Sequence, residues 1–282
     1  MMDQLLADRP HLLTNLGILF GTVGCAVGLE LFLRRRYRTL LEDDQNAINS
    51  VAAAVLGVYG LILGLTLAAA WERYQQAEIA VYDETNSLFT VFRLSDTLPA
   101  DQIAPMKAAV VEYGIAVAFG ELTGQKPELI DYAPGRNGMR AMYKVIADSG
   151  GMSQPPANNL DIMGTISGEV VNVDKARGTR LTLAQQALPR EFWVVLLLGA
   201  VFTLGAVVAI LPTHPGLHVW ITAGVSILLV SLLILLRDLD QPFEGTQAVD
   251  PENYRGAVTI LRNEGIETGV AMPDLPTPTP MP

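Results

Sequence analysis

The chain has 282 residues, with 19 Lys+Arg against 29 Asp+Glu, so its formal net charge is −10. Half of it is apolar and only 17% is charged, well below the roughly 25% usual for a soluble domain, which points to a membrane. The acidic balance excludes nucleic acid as the expected partner, because phosphate binding needs a Lys/Arg surplus. A single cysteine, Cys25, excludes an internal disulfide framework.

The apolar residues fall in four blocks, each close to the roughly 20 residues that a transmembrane helix needs. The first covers about 12–32 and carries one charge, Glu30. Residues 1–10 hold two aspartates against one arginine, and the block is too long for a cleaved signal peptide, so a retained helix is expected. Blocks at about 51–71, 192–211 and 217–236 contain no Asp, Glu, Lys or Arg. Arg34, Arg35 and Arg36, Trp71, Tyr74, Trp193 and Trp220 mark interfaces. The expected fold is an all-α integral membrane protein with four transmembrane helices and a helical extramembrane domain, or stalk, between the second and third. The arginines after the first helix place the loop 34–50 in the cytoplasm and the N-terminus and helical domain outside. Lys175, Arg177, Arg180 and Arg190, beside the third helix, weigh the other way.

Within 72–190 the pattern is helical throughout, with no useful period-2 alternation. The second helix runs on without a breaker through Tyr82 and Phe92 to Leu98, where Pro99 stops it. Val110, Tyr113, Val117 and Leu122 continue an apolar stripe. Pro134, Gly135, Asn137 and Gly138 read as a loop before a short helix at 139–147. A second break at 149–159 precedes a helix with Met163, Ile166, Val170 and Val173 on one face, entering the third block through Pro189. The expected organisation is 1–50 (first span and Arg-rich loop), 51–98 (second span and its extension), 99–157 (helical domain) and 158–237 (return helix with the third and fourth spans). A border segment with an amphipathic helix follows at 238–267, and a disordered Pro-rich tail at 268–282. The border motif comprises Asp238, Asp240, Pro242, Phe243 and Gly245, and the amphipathic stripe Tyr254, Ala257, Val258 and Leu261.

Catalytic chemistry has little to work with. His11, His214 and His218 all fall at predicted membrane borders, and Pro215 and Gly216 break the i, i+4 spacing of the last two. No thiol cluster, phosphate loop or nucleophile elbow is present, so no catalytic residue, metal site or cofactor is expected and an enzyme is unsupported. The second helix is more informative. Ala53, Gly57, Gly60, Gly64 and Ala68 recur at steps of three or four, giving one face of small residues. Such a face lets helix backbones approach closely in lipid. It suits packing within the chain, contact with the same helix of neighbouring copies, or the lining of a pore with Asn46, Asn49 and Ser50 at its mouth. Glu30, within a turn of the arginines, is expected to snorkel to the interface. If Trp71 and Phe192 mark one membrane surface, residues on the outgoing and returning helices pair when their numbers sum to about 263. Arg180 then meets Asp83 or Glu84, and Arg177 meets Asn86.

With these residues set out, the chain resembles the bestrophin-like domain family of membrane proteins, whose domain has no assigned function. The resemblance rests on residues 58–64 (Val-Tyr-Gly-Leu-Ile-Leu-Gly), on Trp71, Glu72, Arg73 and Tyr74, and on Asp83, Glu84, Arg177 and Arg180. It also rests on residues 192–196 and 239–245, and spans roughly residues 12–262. It implies a relation to bestrophins, which are oligomeric anion channels that line their neck with bulky apolar side chains. This second helix offers glycine and alanine instead, and segments 72–190 and 237–282 carry an acidic excess that would concentrate cations. The leading expectation is a homo-oligomeric ion channel or channel-like conduit, with the lipid bilayer, copies of itself and inorganic ions as partners. The alternative is a non-transporting scaffold or regulatory membrane protein that binds a partner through its helical domain.

Overall fold

The computed structural model describes residues 10–42, 45–122, 130–150, 157–210, 215–243, 249 and 251–276. Eight α-helices are found among them: α1 (Pro10–Glu42), α2 (Gln45–Leu94), α3 (Ala100–Ala116), α4 (Ala133–Gly150), α5 (Ala157–Gln185), α6 (Arg190–Ala209), α7 (Pro215–Asp240) and α8 (Pro251–Glu267). No strand occurs among the described residues. At 1.5 Å per residue, the 33 residues of α1 and the 50 of α2 make rods of about 50 and 75 Å, longer than the ~30 Å hydrocarbon layer. The expected loop at 34–50 is therefore mostly helix. Nothing in 34–42 is a Pro or Gly breaker, so α1 carries on through the arginines to Glu42 and α2 resumes at Gln45.

The chain forms two compact units, Met1–Arg73 with Ala187–Gln241, and Tyr74–Gln186 with Pro242–Pro282. In the first unit, α1 packs on α6 and α7, which also pack on each other. The first half of α2 joins them through Tyr59, whose hydroxyl donates to the Leu196 carbonyl at 2.9 Å. Gly199 makes room for the Tyr59 ring, which presses on the position its Cβ would take. Among the described residues, four helices are long and apolar enough to cross a membrane: those within Ile48–Thr97, Ala100–Glu121, Arg190–Ala209 and Gly216–Asp240, with a shorter apolar stretch, Gly17–Phe32, in α1. The Ala100–Glu121 helix differs from the other three. Half of its apolar window is buried, against 17–28% for them, because it is the core helix of the second unit.

That second unit wraps α3 with α4, α5, α8 and the second half of α2. Val110, Tyr113, Met142, Ile166, Val170, Val173, Tyr254 and Leu261 close its interior. After Leu94 a short 3₁₀ turn, Ser95–Thr97, leads to Pro99, which stands at the N-terminus of α3. At its other end α3 runs into a π-helical turn, Val117–Glu121, which carries the carboxylate Glu121 into the interior. Pro134, Gly135, Asn137 and Gly138, read from sequence as a loop, are the first turns of α4. Asp131 accepts from the Ala133 N–H at 2.9 Å to start that helix. Its glycines serve close approach: a Cβ on Gly138 would stand 2.7 Å from Tyr113 Cα, and one on Gly135 would strike the Glu121 carboxylate. The segment 268–276, expected to be disordered, is seated on the unit. Met272 and Leu275 pack against the core, and Arg262 donates to the Pro273 carbonyl at 2.7 Å. Residues 277–282 lie outside the described residues.

These contacts make paired expectations. Gly138→Ala should cost about 1–3 kcal/mol through overpacking. Gly178→Ala, on α5 with nothing within 4 Å of its Cβ, should gain up to about 1 kcal/mol in helix propensity. Thermal melting of both variants checks this, and equal midpoints would contradict it.

Candidate functional site

The small-residue face of α2 points away from the chain. Ala53, Gly57, Gly60, Gly64 and Ala68 are all exposed, and an added Cβ at Gly57, Gly60 or Gly64 meets nothing within 4 Å. Contact with the rest of the unit is made from a different stripe of the helix, by Ala52, Tyr59, Leu63 and Ala70. Among the described residues, nothing else in the chain packs on these glycine positions. Asn46, Asn49 and Ser50 are exposed at the N-terminal end of α2. The Ser50 hydroxyl donates to the Asn46 carbonyl, and the Gln45 amide to Asn49.

At the opposite end of this unit, Asp240 closes α7. It accepts from the Arg73 guanidinium at 3.0 Å, the Leu188 N–H at 2.8 Å and the Trp193 indole N–H at 3.3 Å. One carboxylate, 5% exposed, thus ties the middle of α2 to the start of α6 and the end of α7. Asp238 is half-buried. In the second unit, Pro242 is buried and its carbonyl accepts from Val249 N–H at 2.7 Å, while Phe243 leans on the core. Gly245 lies outside the described residues.

The second unit holds a buried knot of charges. Arg180 of α5 donates to Glu84 of α2 at 2.7 Å through Nε and at 3.2 Å through Nη2, and Nη2 also reaches Glu121 at 2.7 Å. Arg177, one turn back, donates to Glu121 at 2.6 Å and to the Tyr132 carbonyl at 3.3 Å. Tyr113 and Tyr254 donate to Glu84 at 2.6 and 3.1 Å. Two carboxylates and two guanidiniums cancel, which makes the burial tolerable. Burial alone would pull the Arg180 guanidinium down, but Glu84 and Glu121 more than reverse this and hold it well above its usual value. Burial, reinforced by the Glu84 charge, pushes the Tyr113 and Tyr254 phenols well up.

Of the expected partners, Arg180 meets Glu84 rather than Asp83, which is exposed on an open cleft with Asn86, Glu169 and Lys175. The expected Arg177–Asn86 contact does not form. Asn86 faces outward, whereas Glu121 offers a buried charge to Arg177. The sequence reading also missed Glu121, Tyr113 and Tyr254 as members of the knot. A signal was available: Glu121 is the one carboxylate in the uncharged run 113–125. Glu30 corrects a further expectation. It does not snorkel but is fully buried, 2.8 Å from His218 Nδ1; His218 gives it a partner inside the unit. The side chain of His11 and all of His214 lie outside the described residues. Among those described, no cluster of three or more His, Cys, Asp or Glu could hold a metal.

Arg180→Met would leave Glu84 without its guanidinium partner and Glu121 with Arg177 alone, and should destabilise the protein by about 3–5 kcal/mol. The phenols add an alkaline limit. A tyrosine whose value is raised on folding contributes stability that is complete below about pH 10, its unfolded value, and is lost as pH climbs through the folded one. Above pH 10 stability should fall by up to about 1.4 kcal/mol per pH unit for each phenol. Chemical denaturation of a Tyr113→Phe, Tyr254→Phe variant should show a shallower alkaline slope; an unchanged slope would contradict the assignment.

The model of the bestrophin-like domain family matches residues 20–254. A crystal structure of a bacterial bestrophin homologue from Klebsiella pneumoniae, phased on zinc, superposes with a TM-score of 0.69 at 14% identity, covering 89% of this chain and 99% of that one. A point variant of that homologue gives 0.70 at 14% identity, over 89% and 99%. At this identity the likeness speaks for the fold. No curated protein matches the chain. With the family model spanning most of its length and its helices apolar enough to span a bilayer, the chain is a membrane protein that belongs to the bestrophin-like domain family.

Proposed function

We propose that the chain assembles with copies of itself into a channel-type ion conduit lined by the first half of α2. The carrying observation is the open small-residue face at Gly57, Gly60 and Gly64. Glycine in a helix is about 1 kcal/mol worse than alanine, and toward lipid tails that cost brings no return. A face turned to neighbouring copies around an axis gains close backbone approach, and one turned to a file of ions gains width. The family relationship supports the channel class. The acidic excess of the chain favours cations over anions at its entrances. The rival reading, a non-transporting scaffold, draws on the open polar cleft between α2 and α5, where Asp83, Glu169 and Lys175 offer charge to a partner.

Gly60→Leu separates the readings when oligomer mass and ion flux in liposomes are measured together. The conduit predicts an intact oligomer with reduced flux, because the leucine projects into the open path. A lost oligomer indicates that the face packs helix to helix. Purified oligomer that passes no small cation or anion under varied pH, calcium and voltage would leave the scaffold as the reading.

A further inference from the structure

The second unit uses its cations in two ways. Arg93, Lys107, Arg177, Arg180, Arg255 and Arg262 each pair with a carboxylate of the same unit. The others among its described residues are Arg136, Arg140, Lys144 and Lys175, all exposed, and none of them has a hydrogen-bond or ion-pair partner there. The first three stand at steps of four on α4 and so run along one edge of that helix. The opposite side of α4 is the buried one, with Gly135, Gly138, Met139 and Met142. Asp83 and Glu169 are the counterpart of this basic edge. They line the open cleft of about 590 Å³ between α2 and α5, where the small buried side chains Ala80, Ser87 and Ala176 leave room. Neither carboxylate has a partner among the described residues. Lys175 is the one cation lining the cleft, so two carboxylates face one ammonium.

We propose that the basic edge of α4 in one copy docks on the acidic α2/α5 cleft of the next copy. The two faces differ, so the contact is head-to-tail, the kind that closes copies into a ring. Their charges are opposite, whereas two copies of either face would repel each other. The chain thus supplies both halves of a complementary pair and leaves each half unpaired within itself. Exposed ion pairs add about 0–1 kcal/mol each, and their larger effect is on partner choice and register. This contact therefore orients copies rather than holding them alone. It rests on the self-assembly part of the proposed function and not on conduction.

Oligomer mass of the full chain in mild detergent tests the contact. The wild type should be oligomeric. Arg136→Glu, Arg140→Glu and Lys144→Glu combined should lose the oligomer, because carboxylates then meet Asp83 and Glu169. Adding Asp83→Lys and Glu169→Lys to that chain should restore it. A triple variant that keeps the wild-type mass, or a restored charge pattern that recovers none of it, would overturn the proposal. A triple variant that keeps its mass but no longer binds anionic lipid vesicles would assign the edge to lipid instead, and so overturn it too. Should the reversed chains fail to fold, cross-linking gives a second readout. In a Cys25→Ser background, chains carrying Arg140→Cys should cross-link to differently tagged chains carrying Asp83→Cys, and neither should link to its own kind. Links only between like chains, or none, would contradict the head-to-tail contact. A monomeric wild type would remove the self-assembly reading and this contact with it, whereas an oligomer without ion flux would remove the conduit alone.

Discussion

A helix in lipid cannot be held in place by hydrophobicity alone, since the tails around it are as apolar as its side chains. What holds it is fit, and fit is what α2 divides between two faces. Ala52, Tyr59, Leu63 and Ala70 mate with the chain's own helices, with the Tyr59 hydroxyl donating to a backbone carbonyl of α6. Around the helix from them, an added Cβ at Gly57, Gly60 or Gly64 would meet no neighbour within 4 Å among the described residues. The proposed assembly follows from that asymmetry: one side of the helix is finished by its own subunit, and the other is not.

The remaining polar chemistry is organised so that charge is buried only where it cancels. Asp240 gathers Arg73, Leu188 and Trp193 at the end of α7. Glu84, Glu121, Arg177 and Arg180 neutralise one another inside the second unit, with two phenols donating to Glu84. Such knots add little net stability compared with an apolar core, yet breaking one partner is severe. They specify which helix faces which, here joining α2 to α5 and α3.

Much of this was legible in the sequence, for reasons that differ between elements. The apolar blocks reveal α6 and α7 almost to their ends because length and charge-poverty are local properties. Counting along two antiparallel helices from one membrane surface brings Arg180 to Asp83 or Glu84, and the buried Glu84 is the one it meets. The same counting fails for Arg177, because a third element brings Glu121 closer than Asn86, and a two-helix count has no knowledge of a third helix. Gly135 and Gly138 look like helix breakers, although their real service is to let α4 approach Tyr113 and Glu121; glycine carries both meanings and only packing distinguishes them. Glu30 and His218 are 188 positions apart in the chain, so nothing local joins them. Glu30 stands out in the sequence as the one charge inside the first apolar block, but nothing local names His218 as its partner.

The claim that matters most is that the open face of α2 borders a water-filled path between copies. The direct measurement is modification of single cysteines along α2, in a Cys25→Ser background, by a charged, water-soluble thiol reagent, with ion flux recorded before and after. The account predicts that Gly57→Cys, Gly60→Cys and Gly64→Cys react and that flux drops, while Leu63→Cys, on the side buried within the subunit, stays inert. Cysteines at 57, 60 and 64 that ignore the water-soluble reagent but react with a lipid-soluble one would contradict it.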